Sequence, residues 1–178
     1  MKSILIAMVT LFLLVLTASA QIPIVAGPSV KDSTELIIQK IRKEYASINA
    51  DSKKYRVVLK DIYGLSTEGG ELKSYYDGNV LKKSVLTLYG EMGKSIKEYY
   101  FAGEQIFFCF ERHTEYDKPI TYKDMRIKKI EECRYYFNNE KLIRWVGESG
   151  NIVPTDQYKE QGQMLLSLWR EAFYMHAE

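Results

Sequence analysis

The chain has 178 residues, 25 of them basic and 23 acidic, for a formal charge of +2. So even a balance, with no block of like charge, excludes the electrostatic footprint of a nucleic-acid binder and a polybasic membrane patch. Four prolines and no low-complexity run exclude a disordered chain, and the length suffices for one domain with its own core.

Residues 1–20 read as a secretory signal: Lys2 gives a short positive start, residues 4–16 are almost unbroken apolar, and Ala18-Ser19-Ala20 is a small-x-small cleavage site. The run is too short, with the wrong flank, for a membrane span, and no Cys follows it to carry a lipid. The expected product is secreted or periplasmic, with no stable membrane anchor after cleavage. A Pro/Gly-containing lead, residues 21–30, would then precede a single domain, residues 31–178.

Asp32 followed by Glu35 resembles a capping box and starts a helix. Ile37, Ile38, Ile41, Tyr45 and Ile48 recur at helical spacing, giving an amphipathic helix of about four turns that ends near Asn49. Residues 55–63 alternate as a first strand, and residues 64–70 form a loop. Residues 71–76 and 79–89 make a hairpin, and residues 90–93 turn the chain into strands at 94–101 and 104–112. An irregular stretch with Pro119 spans 113–124. Strands at 125–137 and 141–146 complete the set. Thr155, just after Pro154, caps a last helix with an apolar stripe of Leu165, Leu168, Trp169, Ala172 and Met175. Connections this short allow only antiparallel neighbours. The fold class is therefore α+β: an antiparallel meander of about seven strands flanked by an N-terminal and a C-terminal amphipathic helix. Both helices are expected on one sheet face, leaving the other curled, wet or used.

One motif recurs within the meander, starting at Tyr75, Tyr99 and Tyr135. Each copy runs from paired tyrosines into a turn, at Asp77-Gly78, Ala102-Gly103 and Asn138-Asn139. Aromatic side chains favour a pleated surface, and Gly and Asn tolerate the positive φ of a two-residue turn. Taken with Leu81 after the first turn, these stretches resemble the MORN-variant repeats of bacterial envelope and secreted proteins. The resemblance implies stacked hairpins; it implies no catalytic residue and no defined ligand.

Cys109 and Cys133 lie in the exported part, where an oxidising environment permits a disulfide. If residues 104–113 pair with 127–137, Cys109 falls opposite Cys133. Two-residue turns, however, put Cys109 with Tyr100 and Cys133 with Tyr135, on opposite faces, unless a bulge intervenes. A Cys109–Cys133 bridge and two buried thiols remain alternative readings.

Catalytic signatures are sparse. No serine has the G-x-S-x-G spacing of a nucleophile elbow, and His113 and His176 are the two histidines. Glu111, His113 and Asp117 alternate with Glu115 and would share one face of a strand, as ligands of a hard cation would; alternating charges at a solvated strand end look the same. The aromatic surplus suits recognition better. With two-residue turns, Tyr100, Phe107, Tyr136, Ile143 and Trp145 share a face, with Arg134 beside them, and form an interaction surface if no helix covers it. Ordinary cross-strand packing is the competing reading. The sequence thus points to an exported, non-enzymatic binding domain for an extracellular or periplasmic protein or glycan, with no implied cofactor. The alternatives are a small hydrolase or metal-dependent enzyme around Glu111, His113 and Asp117, and an envelope structural component joined through sheet edges.

Overall fold

The computed structural model describes residues 30–175, with side chains from Ser33 onward. The expected signal, most of the lead, and His176 lie outside the described residues. Helix α1 spans Val30–Asp51 and is followed by strands β1 (Arg56–Ile62), β2 (Gly70–Asp77), β3 (Val80–Gly90), β4 (Gly93–Ala102), β5 (Gln105–Tyr116), β6 (Ile127–Asn138) and β7 (Lys141–Val146). Helix α2 (Tyr158–Tyr174) closes the chain. All seven strands lie in one antiparallel sheet in sequence order, so the expected meander with a helix at each end is the observed fold.

The helix ends differ from expectation. Val30, assigned to the lead, is already helical, which places Asp32 inside the helix rather than before it. Thr155 opens a short 3-10 turn, and α2 proper begins at Tyr158 with no side-chain cap on Gln157. Strand β5 runs to Tyr116, so His113 is in a strand, and the irregular segment shrinks to residues 117–126.

Each hairpin turn sits one residue later than expected. The two-residue loops are Gly78-Asn79, Gly103-Glu104 and Asn139-Glu140. Their first residues have φ of +58°, +63° and +49°, the left-handed region where Gly and Asn cost least. Two residues before each turn the register slips, between Tyr75 and Tyr76, Tyr100 and Phe101, and Tyr136 and Phe137. The extra residues on the returning strands are Lys82, Phe107 and Ile143. The three hairpins are thus the same object, a turn plus a bulge. In register Tyr75 corresponds to Tyr100 and Tyr136, not to Tyr99 and Tyr135.

The helices lie on opposite faces, which corrects the one-sided expectation. Under α2 pack Ile62, Leu72, Leu86, Tyr99, Phe101, Tyr135 and Phe137, with Leu165 and Trp169 from the helix. Under α1 pack Tyr100, Phe107, Phe108 and Tyr136, with Ile38, Ile41 and Ile48. Consecutive Tyr99 and Tyr100 serve different cores because side chains alternate across a sheet. Both are fully buried, and burying side chains of this size contributes roughly 1.5–3 kcal/mol each. Among the described residues no helix is long and apolar enough to cross a membrane.

Candidate functional site

Helix α1 covers only part of its sheet face. Beyond its flank, a groove of about 410 Å³ opens between Ile41, Arg42 and Tyr45 on the helix and the strands β4, β5 and β6. The register builds its floor. Phe108 pairs with Tyr136, Phe110 with Arg134, and Arg112 with Glu132, so alternate residues of both strands face the groove.

Two arginines clamp one carboxylate there. Arg112 donates through Nε and Nη2 to Glu132 Oε1 at 3.1 and 2.8 Å. Arg134 Nη2 donates to Oε2 at 3.1 Å. Those hydrogen bonds, from Arg112 first, hold the Glu132 carboxyl below its ordinary range. Both guanidinium carbons also sit over the Phe110 ring, at 5.7 and 5.4 Å from its centre. Across the groove, Arg42 lies 6.0 Å from the centre of the Tyr136 ring. The far wall is tied by a cluster that joins α1 to the sheet. Lys83 Nζ donates to Glu98 at 2.7 Å and to Asn49 Oδ1 at 3.2 Å, and Tyr100 Oη donates to Glu98 at 2.5 Å. Burial, and then that carboxylate, push the Tyr100 hydroxyl far above its ordinary range.

The residues expected to form an aromatic interaction surface are separated. Arg134 and Tyr136 line the groove. Tyr100 and Phe107 are buried under α1 as core, so the open face they were assigned to is closed by the helix. Trp145 lies on the opposite face, its ring centre 5.4 Å from that of Tyr135. Phe108 joins Phe107 on the α1 side rather than facing away from it. The bulges cause this: one extra residue per hairpin shifts the alternation beyond it. Reading the sequence missed Arg42, Tyr45, Phe110, Arg112 and Glu132. The alternating pattern from Phe108 to Arg112 and from Glu132 to Tyr136 carries the signal, but facing the two patterns needs the register across residues 117–126.

Glu111, His113 and Asp117 do not converge. Glu111 lies 2.6 Å from the Lys97 ammonium and accepts from Tyr135 Oη at 2.9 Å. Asp117 accepts from the Arg126 backbone N–H at 2.8 Å, and His113 is exposed. Among the described residues no group of three His, Cys, Asp or Glu could hold a metal ion.

Cys109 and Cys133 are both buried free thiols on the α2 side. Cys109 pairs with Tyr135 and Cys133 with Glu111, so they are diagonal neighbours, not opposite ones. Burial pushes both thiols above their ordinary range, Cys109 furthest.

No family model, curated protein or solved structure matches the chain.

Proposed function

We propose that this chain is an exported, non-enzymatic binding domain whose ligand occupies the groove beside α1. The observation that carries this is the gathering of three guanidinium groups and three sheet aromatics in one small groove. Its lining holds no Ser, Cys or His, and its two carboxylates, Glu98 and Glu132, are held in ion pairs, which favours recognition chemistry over catalysis. A concave site with few charged groups on an apolar floor is the usual form of a small-ligand pocket. The sequence of residues 1–20 supports export.

Native mass spectrometry tests the reading on protein purified from the extracellular or periplasmic fraction of its own source. The expected polypeptide begins at Gln21 and carries a bound adduct. The adduct disappears from Arg112→Gln/Arg134→Gln and persists in Tyr174→Ala, a change on the α2 side of the molecule. An adduct retained by the double glutamine variant, or none on the wild type, overturns the groove as the site. A chain recovered with residues 1–20 attached overturns export by a cleaved signal.

A further inference from the structure

We propose that Arg112 and Arg134 form a carboxylate clamp in which Glu132 is a resident stand-in, and that the groove takes a flat aromatic carboxylate. This rests on the groove being the binding site and names what it binds.

Glu132 reports the clamp's preference. Its two oxygens are shared between two guanidinium groups, Oε1 with Arg112 and Oε2 with Arg134, an arrangement that fits a carboxylate's width. One negative charge does not satisfy the pair. Each guanidinium carries five N–H donors, and among the described residues those not spent on Glu132 have no protein acceptor. Arg42 adds a third positive charge and makes no ion pair among the described residues. The other lining carboxylate, Glu98, is already matched by Lys83. The groove therefore holds a surplus of positive charge and unspent donors, which a ligand anion would use.

The aromatic part follows from the floor. Phe110 lies beneath both clamp arginines, and Phe108 and Tyr136 continue the surface toward α1. A ring whose carboxylate reaches the clamp would lie against the half-buried Phe110 and against the guanidinium planes, which stack on aromatic faces, with only the 5% and 4% of Phe108 and Tyr136 left exposed by α1 adding to the contact. A volume of about 410 Å³ suits one such compound and is small for a polyanion.

Titration calorimetry at fixed ionic strength, with benzoate, acetate, inorganic phosphate and neutral benzamide, tests the inference. Benzoate is expected to bind most tightly, because it alone supplies both the ring and the anion. Arg112→Gln/Arg134→Gln is expected to abolish benzoate binding. Glu132→Gln removes the stand-in and is expected to tighten benzoate severalfold, where a purely structural glutamate would leave affinity unchanged or weaken it. All three side chains are partly exposed, so the variants are expected to stay folded, which circular dichroism checks. Phosphate binding more tightly than benzoate overturns the carboxylate class, and benzamide matching benzoate overturns the clamp. Benzoate that binds the double glutamine variant as well as wild type, or binds neither wild type nor Glu132→Gln, also overturns it. If the native adduct is lost from the double glutamine variant while benzoate fails everywhere, the groove stands and the ligand class falls.

Discussion

The Lys97 ammonium lies 2.6 Å from the carboxylate of Glu111, its direct cross-strand partner on the sheet face beneath α2. Ser95 Oγ accepts from the same ammonium at 2.9 Å, and Tyr135 Oη donates to the other Glu111 oxygen. Lys97 is 8% exposed and the Glu111 side chain 20%, so bulk water replaces a lost partner poorly, for Lys97 above all. Breaking one side of such a pair costs about 3 kcal/mol or more, while replacing both with apolar residues costs far less. Lys97→Ala and Glu111→Ala are each expected to lower stability by about 3 kcal/mol, and Lys97→Met/Glu111→Leu by clearly less than their sum. Urea denaturation of the four proteins measures this, and additive costs would dismiss the pair as a unit.

The shared turn geometry gives a cleaner backbone test. At Gly78, with φ of +58°, an added Cβ would meet nothing within 4 Å. Gly78→Ala should therefore cost only the conformational penalty of a left-handed residue, about 1 kcal/mol. Glu140 sits at φ +59° without being glycine, and its side chain pairs with Arg170 in the open. Glu140→Gly is thus expected to be neutral or slightly stabilising, since exposed pairs contribute little. A gain from Gly78→Ala, or a large loss in both, would remove the turn assignment as the explanation.

These turns also show how much was legible. Gly78, Gly103 and Asn139 announce the reversals because few residues accept their φ, and that was enough for the strand order. The bulges carry no such mark. Lys82, Phe107 and Ile143 are ordinary strand residues, so the one-residue slip, and with it the face of Trp145, could not be read from local pattern. Nor could the side on which each helix docks, since both faces are apolar enough to take one. The clamp was hidden for a third reason. Arg112 and Glu132 are brought together across residues 117–126, whose length does not dictate a register.

Lys60 fastens the end of α2 to the edge strand. Its ammonium donates to the carbonyls of Ala172 and Phe173 at 3.1 and 3.0 Å, and to that of Met175. The last carbonyls of a helix have no intrahelical partner, and a cation there also meets the negative end of the helix dipole. Lys60→Met is expected to cost about 1 kcal/mol and to speed hydrogen exchange selectively in the final turn of α2. Uniform exchange changes across the sheet would argue that Lys60 acts through strand β1 instead.

Acid should release the clamp through Glu132. Its folded carboxyl titrates below the ordinary 4.5, chiefly because Arg112 hydrogen-bonds the charged form. A depressed carboxyl contributes stability that is present above that value and fades as pH falls through the folded one. Glu132→Gln is therefore expected to lower the neutral plateau slightly and to flatten the acid limb below pH 4.5 by the same amount, so that the two proteins converge in acid. Parallel urea midpoints from pH 2 to pH 7 would show it, and identical acid limbs would dismiss the contribution.

Alkali should attack the two cores together. Burial raises Cys109, Cys133, Tyr99, Tyr100 and Tyr135 above their ordinary values of 9.0 for the thiols and 10.0 for the phenols. The unfolded chain can ionise these groups at those values, while the folded chain holds them protonated. The folded state then binds more protons, so stability falls as pH rises past 9 and falls faster past 10, by up to about 1.4 kcal/mol per pH unit for each lagging group. The buried thiols should also resist alkylation near pH 8 until denaturant is added, since the thiolate is the reactive form. Tyr99, Tyr100 and Tyr135 should yield their tyrosinate absorbance only as the protein unfolds. Thiols that react at once in the native protein would mean that water reaches the α2 interface, and a single tyrosinate transition near pH 10 with the fold intact would mean that it reaches both helix–sheet interfaces.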